Sequence, residues 1–535
     1  MPSKRRLYAT AIALASLVVC SRAEAGGFDE LPDQGAEALG RGATFTAKAD
    51  DATAIYWNVA GLARQRGTKL QVSANVHFNT FYFARTGRYP DDPSDPATPW
   101  GGRPFPVVED KNASFVLPML AATTDLGLSD RLTFGAGVFG PAATGRTFPL
   151  GVKGMPAPSR YDSIQSRSKV LFPTLGAAYR VTPQIDVGVS GHLVVGAFDQ
   201  LSVAVADPGG GACNNAEYRP CDAEARVQAD GKSFAGSIGV LARPAPSVQI
   251  GAQLRSPTSL TAEGRVTPRL AAGALPPSAA TLTLDLPWTL RLGARYIGME
   301  GTFEQYDLEL DGTYEAWSSA QAAGPTVVTT SITGGGKPTT VTSLHRWNDT
   351  VSVRAGGAYN VALGEGSVVT LRAGAFYDSP TTDSAFTRLD ANTLAKVAGT
   401  AGLGVRHGAF TINLAYAAVA SISRVVTDGA YRPSNGAKEG RTVGGDDQPL
   451  PAVNNGEYRA FTHTVAVGVE VRFDAFFEPR TPEYGDPAYE RVRAPAAPAP
   501  DDPSDARAPA HLELTGRGPT SWPPSSSVRA RTGAL

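Results

Sequence analysis

From residue 68 to residue 473 the chain alternates apolar and polar positions with a period of two, as expected for strands whose two faces meet different surroundings. In residues 410–417, Phe410, Ile412, Leu414 and Tyr416 share one face and Thr411, Asn413, Ala415 and Ala417 the other. Residues 461–473 set Val465, Val467, Val469 and Val471 against Thr464, Gly468, Glu470 and Arg472. Residues 288–296 set Trp288, Leu290, Leu292 and Tyr296 against Thr289, Arg291, Gly293 and Arg295, and residues 306–315 set Leu308 and Leu310 against Asp307, Glu309, Asp311 and Glu315. A soluble β-sandwich alternates as well, but its apolar face meets a second sheet. Here the apolar faces are rimmed by Trp288, Tyr296, Phe376, Tyr377 and Phe473, which suits a lipid-facing band between aromatic girdles. Short turns at 127–130, 181–183, 243–247 and 406–409 alternate with long connections at 85–109, 142–165, 206–222, 318–343 and 425–455. The predicted fold is therefore all-β: a transmembrane antiparallel β-barrel of about 14 strands over residues 68–474. If the strands around Trp288 and Tyr306 are hairpin neighbours, Arg291 and Arg295 are expected to face Glu309 or Asp311 across the lumen.

The chain ends change the picture in different ways. Lys4, Arg5 and Arg6 precede an apolar run at 7–19 and an Ala23-Glu24-Ala25 cleavage site, so residues 1–25 read as a secretory signal peptide. Val19 is bulky where a lipoprotein signal wants a small residue before Cys20. No later run approaches the ~20 apolar residues of a membrane-spanning helix, so an exported chain of this kind either dissolves or crosses a membrane as a closed barrel. A barrel after an export signal places the protein in the outer membrane of a Gram-negative bacterium. Residues 475–535, rich in Pro, Ala, Arg and Asp, bury too little apolar area to fold and read as a disordered tail, with a periplasmic tether as the alternative.

Composition mainly excludes. The 535 residues carry a formal charge of −1 and a charged fraction of 19%, below the roughly 25% of soluble domains, and no basic footprint for nucleic acid. Once the signal is removed only Cys213 and Cys221 remain; two close cysteines in an exported protein are expected to pair as a disulfide. A metal site there lacks further ligands. There is no G-x-S-x-G elbow and no H-E-x-x-H, and His77, His192 and His463 stand singly among strands. The expectation is no enzyme, no cofactor and no metal.

Residues 26–66 are too polar and too short for a domain and read as a plug, with the hatch region ending at residue 67. Its Gly27-Phe28 start, Ala38-Leu39-Gly40-Arg41, Ala49-Asp50-Asp51-Ala52 and Asn58-Val59-Ala60-Gly61-Leu62 resemble the N-terminal hatch of the outer-membrane transporters for long-chain fatty acids and other hydrophobic compounds. In the last run Val59 stands where that family usually has Pro. The later segments LPMLAATTDLG, LTFGAGVFGPAATG and LPWTLRLGARYIG resemble successive strands of the same family, so the likeness covers nearly all of 26–473. It implies a fourteen-stranded barrel closed by a hatch, passive uptake of apolar molecules without ATP, and sideways exit through the wall.

The resemblance also implies roles. Phe28 matches a Phe that reaches toward the ligand pocket, with plain packing as the alternative. Asn58, Val59 and Ala60 match a rigid turn that locks the hatch, although Val59 lacks proline's fixed φ. Arg41, Asp50 and Asp51 are expected to form ion pairs between hatch and wall. Gly135, Gly137, Gly140 and Pro141 form the candidate lateral gate, since Gly permits a bend and Pro removes a ladder bond; relief of crowding in a small lumen is the other reading of these glycines. The same residues fit G-x-G-x-x-G, but no helix follows to hold a phosphate. The expected partners are a hydrophobic small molecule, outer-membrane lipid and the barrel-assembly machinery, with the chain a monomer. A general diffusion porin and a structural barrel are the alternatives.

Overall fold

The computed structural model describes residues 34–476, apart from 92, 112–113, 206–216, 218, 271–272, 275, 321–325, 331–338, 344–345, 365 and 433–450. The expected signal peptide, Phe28, Cys213 and nearly all of the expected tail lie outside the described residues.

Fourteen antiparallel strands form the wall: β1 Thr68–Arg85, β2 Ser114–Thr124, β3 Leu132–Thr147, β4 Gln165–Thr182, β5 Ile185–Val205, β6 Asp222–Ala245, β7 Val248–Arg255, β8 Thr289–Glu300, β9 Phe303–Glu315, β10 Thr350–Gly364, β11 Ser367–Asp378, β12 Lys396–His407, β13 Phe410–Ser421 and β14 Gly456–Arg472. Each pairs with its neighbours in sequence, and β14 returns to β1 from Lys69↔Arg472 to Arg85↔Gly456. Closure gives every wall strand a partner on each side, the arrangement by which a sheet avoids the open edges that hydrocarbon does not tolerate.

Alternation decides which face goes where. Leu308 and Leu310 of β9 are 60% and 58% exposed on the outside, while Asp307, Glu309 and Asp311 between them are buried within. Phe410, Ile412, Leu414 and Tyr416 likewise face out, and Asn413 is buried. An apolar exterior over a polar interior inverts the usual soluble arrangement and fits a wall bathed in lipid. Near the short turns Tyr306 and Tyr359 are register partners and Tyr296 lies beside Tyr306, all three exposed, a girdle at one interface. Phe376 departs from expectation. It is 5% exposed and lies inside beneath the Arg354 guanidinium, because it shares the inward phase of β11 with Arg372 while Tyr377 faces out.

The long connections hold more order than the alternation suggested. β5 and β6, at 21 and 24 residues, exceed the ~9–11 residues a strand needs to cross a bilayer. Their outer parts carry an added hairpin, Thr258–Leu270 paired with Ser278–Leu286, attached to β6 from Ala262↔Gly231 to Arg269↔Glu224. Leu260, Leu282, Leu284 and Leu286 of this hairpin are buried in one apolar cluster with Val194 and Phe198 of β5.

Candidate functional site

Residues 34–66 are folded within the circle of strands and are buried almost throughout. Helix α1, Ala36–Gly40, begins after Gly35 at φ 99°, a backbone that favours glycine. Helix α2, Ala54–Trp57, leads through Asn58 into a 3-10 helix, Val59–Arg64. Asn58 is extended and its Oδ1 accepts from Ala60 N at 3.2 Å, a side-chain cap that starts the turn without the proline the resemblance would place at Val59. The Asn58 Nδ2 donates to the carbonyls of Thr46 and Val240, at 2.9 and 3.0 Å, joining the segment to β6. Val59 N donates to Gln253 Oε1, whose Nε2 donates to Tyr56 O.

The inward carboxylates of β9 organise the first half of the segment. Phe45 and Thr46 donate their backbone N–H groups to Asp311 Oδ2, both at 3.0 Å. Ala47 N and Lys48 N donate to Glu309 Oε1 at 2.7 and 3.2 Å. A stretch with no strand partner thus has its buried donors satisfied by the wall. Arg41 donates to Asp307 at 2.9 Å and to Glu309 at 3.2 Å. Arg295 pairs with Asp307 and Glu304. Arg295 and Glu309 are register partners, yet the charges pair one step along the strand and through the N-terminal segment. Arg291 stands opposite Thr313 and reaches Tyr56 instead, donating to its carbonyl at 3.2 Å and its hydroxyl at 2.9 Å, with the guanidinium 4.5 Å from the ring centroid. Arg295 thus stands across from Glu309 as expected while its ion pairs go to the neighbouring wall acids Asp307 and Glu304; Arg291 departs from the expectation, because Tyr56 of the N-terminal segment occupies the space before it.

Arg41 makes the expected pairs with the wall; Asp50 does not. Its partner is Lys48 of the same segment, which also approaches Glu37 at 3.5 Å. Asp51 accepts from Thr53 N at 2.8 Å and from Gln71 Nε2 of β1 at 3.0 Å, a hydrogen bond to the wall rather than an ion pair.

Paired glycines let the backbone of the segment approach the wall. Gly356↔Gly374 and Gly251↔Gly293 are register partners on adjacent strands. A Cβ at the first pair would run into the backbone of Arg41 and Gly42, and at the second into Thr46 and Ala47. These pairs carry no motif visible in one strand; only the register brings them together.

The candidate gate residues divide into two groups. A Cβ on Gly135 would meet Leu62 Cδ1 at 2.8 Å, and one on Gly137 would meet Ile55 Cγ2 at 3.3 Å, so both leave room for the N-terminal segment. Gly140 and Pro141 lie where the β3–β4 register shifts: Phe139 faces Phe172 and Ala142 faces Val170, two residues on β3 against Leu171 alone. This is a β-bulge. The β2–β3 ladder runs from Thr124↔Phe134 only to Leu120↔Val138 and is not continued to the outer half of either strand. Contact resumes where Lys111 N donates to Thr147 O at 2.7 Å. Pro118, Pro141 and Pro173 fall on the three consecutive strands β2, β3 and β4, each without an N–H for the ladder. The wall is thus least bonded beside the bulge, a feature for which the sequence offered only the Gly-Pro pair.

Aromatic side chains line the inner face here. Tyr56 meets Phe139 edge-on at 4.8 Å between centroids, Phe139 stacks with Phe172 at 5.7 Å, and His192 abuts both. The cluster continues through Val194 and Phe198 to the outer hairpin. On the side of the short turns, by contrast, a cavity of 130 Å³ is lined by Glu37, Lys48, Asp50, Arg64, Arg372 and Glu470. The expected single histidines are held in hydrogen bonds: His192 between Thr174 and Ser237 at 2.8 and 2.7 Å, His77 with Thr464 at 2.9 Å, and His463 with Tyr416 at 2.7 Å. Cys221 is buried and disulfide-bonded; its expected partner, Cys213, is outside the described residues.

Residues 16–391 match the family described as outer membrane protein transport protein (OMPP1/FadL/TodX). No curated protein sequence matches the chain. Among solved structures, a FadL homologue of Pseudomonas aeruginosa is similar with a TM-score of 0.65 and 17% identity, covering 84% of this chain and 100% of that one. The toluene transporter TodX of P. putida is similar with a TM-score of 0.58 and 16% identity over 83% and 99%, and the toluene transporter TbuX of Ralstonia pickettii with 0.56 and 16% over 82% and 98%. At these identities the structural likeness speaks for the barrel fold, and the family match for the class: transport channels of the Gram-negative outer membrane, not enzymes. The chain belongs to the OmpP1/FadL/TodX family of outer-membrane transport proteins, β-barrels that carry hydrophobic compounds.

Proposed function

We propose that the protein takes up long-chain fatty acids or similar apolar molecules passively, that residues 26–67 act as a hatch which moves when ligand binds, and that the ligand leaves sideways between β2 and β3. The carrying observation is the break in the β2–β3 ladder directly beside the aromatic cluster of Tyr56, Phe139 and Phe172. An acyl chain gains roughly 0.8 kcal/mol for each CH₂ it keeps out of water. It would give that up on entering the charged cavity between hatch and periplasm, whereas the break opens onto lipid. In this reading Phe28 senses the ligand, the Asn58-Val59-Ala60 turn anchors the hatch to β6, and the chain works as a monomer inserted by the barrel-assembly machinery.

The test is reconstitution into liposomes, comparing transfer of a labelled fatty acid and of toluene with swelling in sugar solutions. Transfer of an apolar compound with no sugar permeation is expected. Sugar permeation without apolar transfer would make the protein a general diffusion porin, and neither would leave a structural barrel.

A further inference from the structure

A bulge frees a carbonyl, and a buried carbonyl needs a donor. Gly140 sits in the irregular part of the β3–β4 ladder, and beyond Val138 no ladder to β2 is formed. The donor that reaches its carbonyl comes from the N-terminal segment within the circle of strands: Gln34 Nε2, at 3.0 Å across 106 residues of sequence. Gln34 is 2% exposed. Its own carbonyl accepts from Trp57 Nε1 at 2.8 Å, and Trp57 ends the helix whose Tyr56 packs on Phe139, the residue before Gly140. The bulge, Gln34 and the Tyr56-Trp57 corner thus form one buried unit, with the carboxamide as its polar link.

We propose that Gln34 is a positioning residue that couples the hatch to the wall opening: its side chain holds the bulge in the closed-hatch arrangement, and withdrawal of the hatch releases Gly140 and loosens the outer half of β3. The inference rests on the reading of hatch movement and lateral exit given above, and adds the residue that joins the two. A carboxamide is suited to this part, since it donates one directed hydrogen bond without bringing a charge into an apolar wall. A neutral bond of this kind is weak enough to break during turnover. Losing it changes a local opening equilibrium by about three- to tenfold.

Gln34→Leu, of similar size, removes the donor, and Trp57→Phe removes the second link by a different route. Hydrogen exchange on the full-length protein in lipid nanodiscs reads the coupling at the amides of residues 132–147, and fatty-acid transfer into proteoliposomes reads its use. Each variant is expected to lower protection of that stretch by about three- to tenfold and to raise the transfer rate, with the heat-modifiable migration of the folded barrel retained. Gln34→Asn should recover little, because its carboxamide is one methylene short, whereas Gln34→His, which keeps a neutral N–H donor at greater reach, should restore part of the protection. Wild-type protection or an unaltered transfer rate in the variants that fold would overturn the coupling. A separate deletion of Pro141, which returns β3 to one-for-one register with β4, tells the two readings apart. Transfer that survives the deletion removes lateral exit itself; transfer lost on deletion but indifferent to Gln34 removes only the coupling.

Discussion

Arg41 meets Asp307 at 2.9 Å with both side chains wholly out of solvent, on the same carboxylate oxygen that Arg295 approaches from the wall. One acid on β9 thereby joins a cation of the barrel to a cation of the N-terminal segment. Neither arginine is balanced by Asp307 alone: Glu309 completes the set for Arg41 and Glu304 for Arg295. Burying so many charges is tolerable only as a complete set, because removing one member of a buried pair strands the others.

Replacing Arg41 by Met should therefore loosen the segment while sparing the barrel, whose ladder does not involve it. The expected local cost is about 3–5 kcal/mol. Exchange protection of residues 36–48 should fall steeply, and single-channel recordings should show openings that the wild-type protein lacks. Unchanged protection and conductance would mean that the backbone bonds to Asp311 and Glu309 hold the segment without help.

The glycine pairs lead to a steric prediction. Gly374→Val would place a side chain within the backbone of Arg41 and Gly42, where neither partner can rotate away; overpacking of this sort costs about 1–3 kcal/mol or more. The segment should be displaced, becoming accessible to a periplasmic protease. Gly399→Val, on the next strand at a site with open space around a Cβ, should leave cleavage as in the wild type.

How much of this was legible in the sequence follows from the range of each interaction. The wall was visible because period-two alternation is local: Leu308 and Asp307 betray their faces with no knowledge of a partner strand. Phe376 lies inside despite its aromatic ring because strand phase, not residue type, decides the face, and phase puts it with Arg372. The exchange of partners among Arg41, Arg291, Arg295 and the β9 acids was hidden, since it depends on what occupies the lumen. Gly356 beside Gly374 and the spread of Pro118, Pro141 and Pro173 over three strands depend on register. Nothing marked Gln34, a lone amide in a polar stretch.

Asp51 lies in the N-terminal segment rather than on a strand. Burial, with the carboxylates of Glu37 and Glu470 nearby, pushes it up to about 7, against the hydrogen bonds it accepts from Thr53 and Gln71. A carboxyl whose folded value is raised contributes stability that is complete below its ordinary value near 3.8 and is lost as pH rises through about 7. The segment should accordingly be better protected from exchange at pH 5 than at pH 8, once intrinsic exchange rates are corrected, with a change of at most about tenfold per pH unit. Asp51→Asn should flatten that dependence; a slope that persists in the variant would assign it to another group.

The bulge gives the most direct test of a wall opening. Two residues of β3, Gly140 and Pro141, stand against Leu171 of β4, so deleting Pro141 returns the strands to one-for-one pairing and keeps Ala142 opposite Val170. The outer half of β3 would then run straight toward β2, where Phe115, Leu117 and Met119 point inward and their backbones lack β3 partners. Pro118 still interrupts β2, so the ladder should extend partly rather than fully. The deletion should raise exchange protection in residues 114–119, leave the folded barrel's migration on gels unchanged, and reduce fatty-acid transfer by more than tenfold, as expected of a lost exit rather than a weakened one. Retention of transfer in a barrel shown by exchange to have zipped shut would require the ligand to leave through the charged cavity instead, past Lys48, Arg64 and Arg372, and would recast the protein as a conduit for molecules polar enough to tolerate that passage.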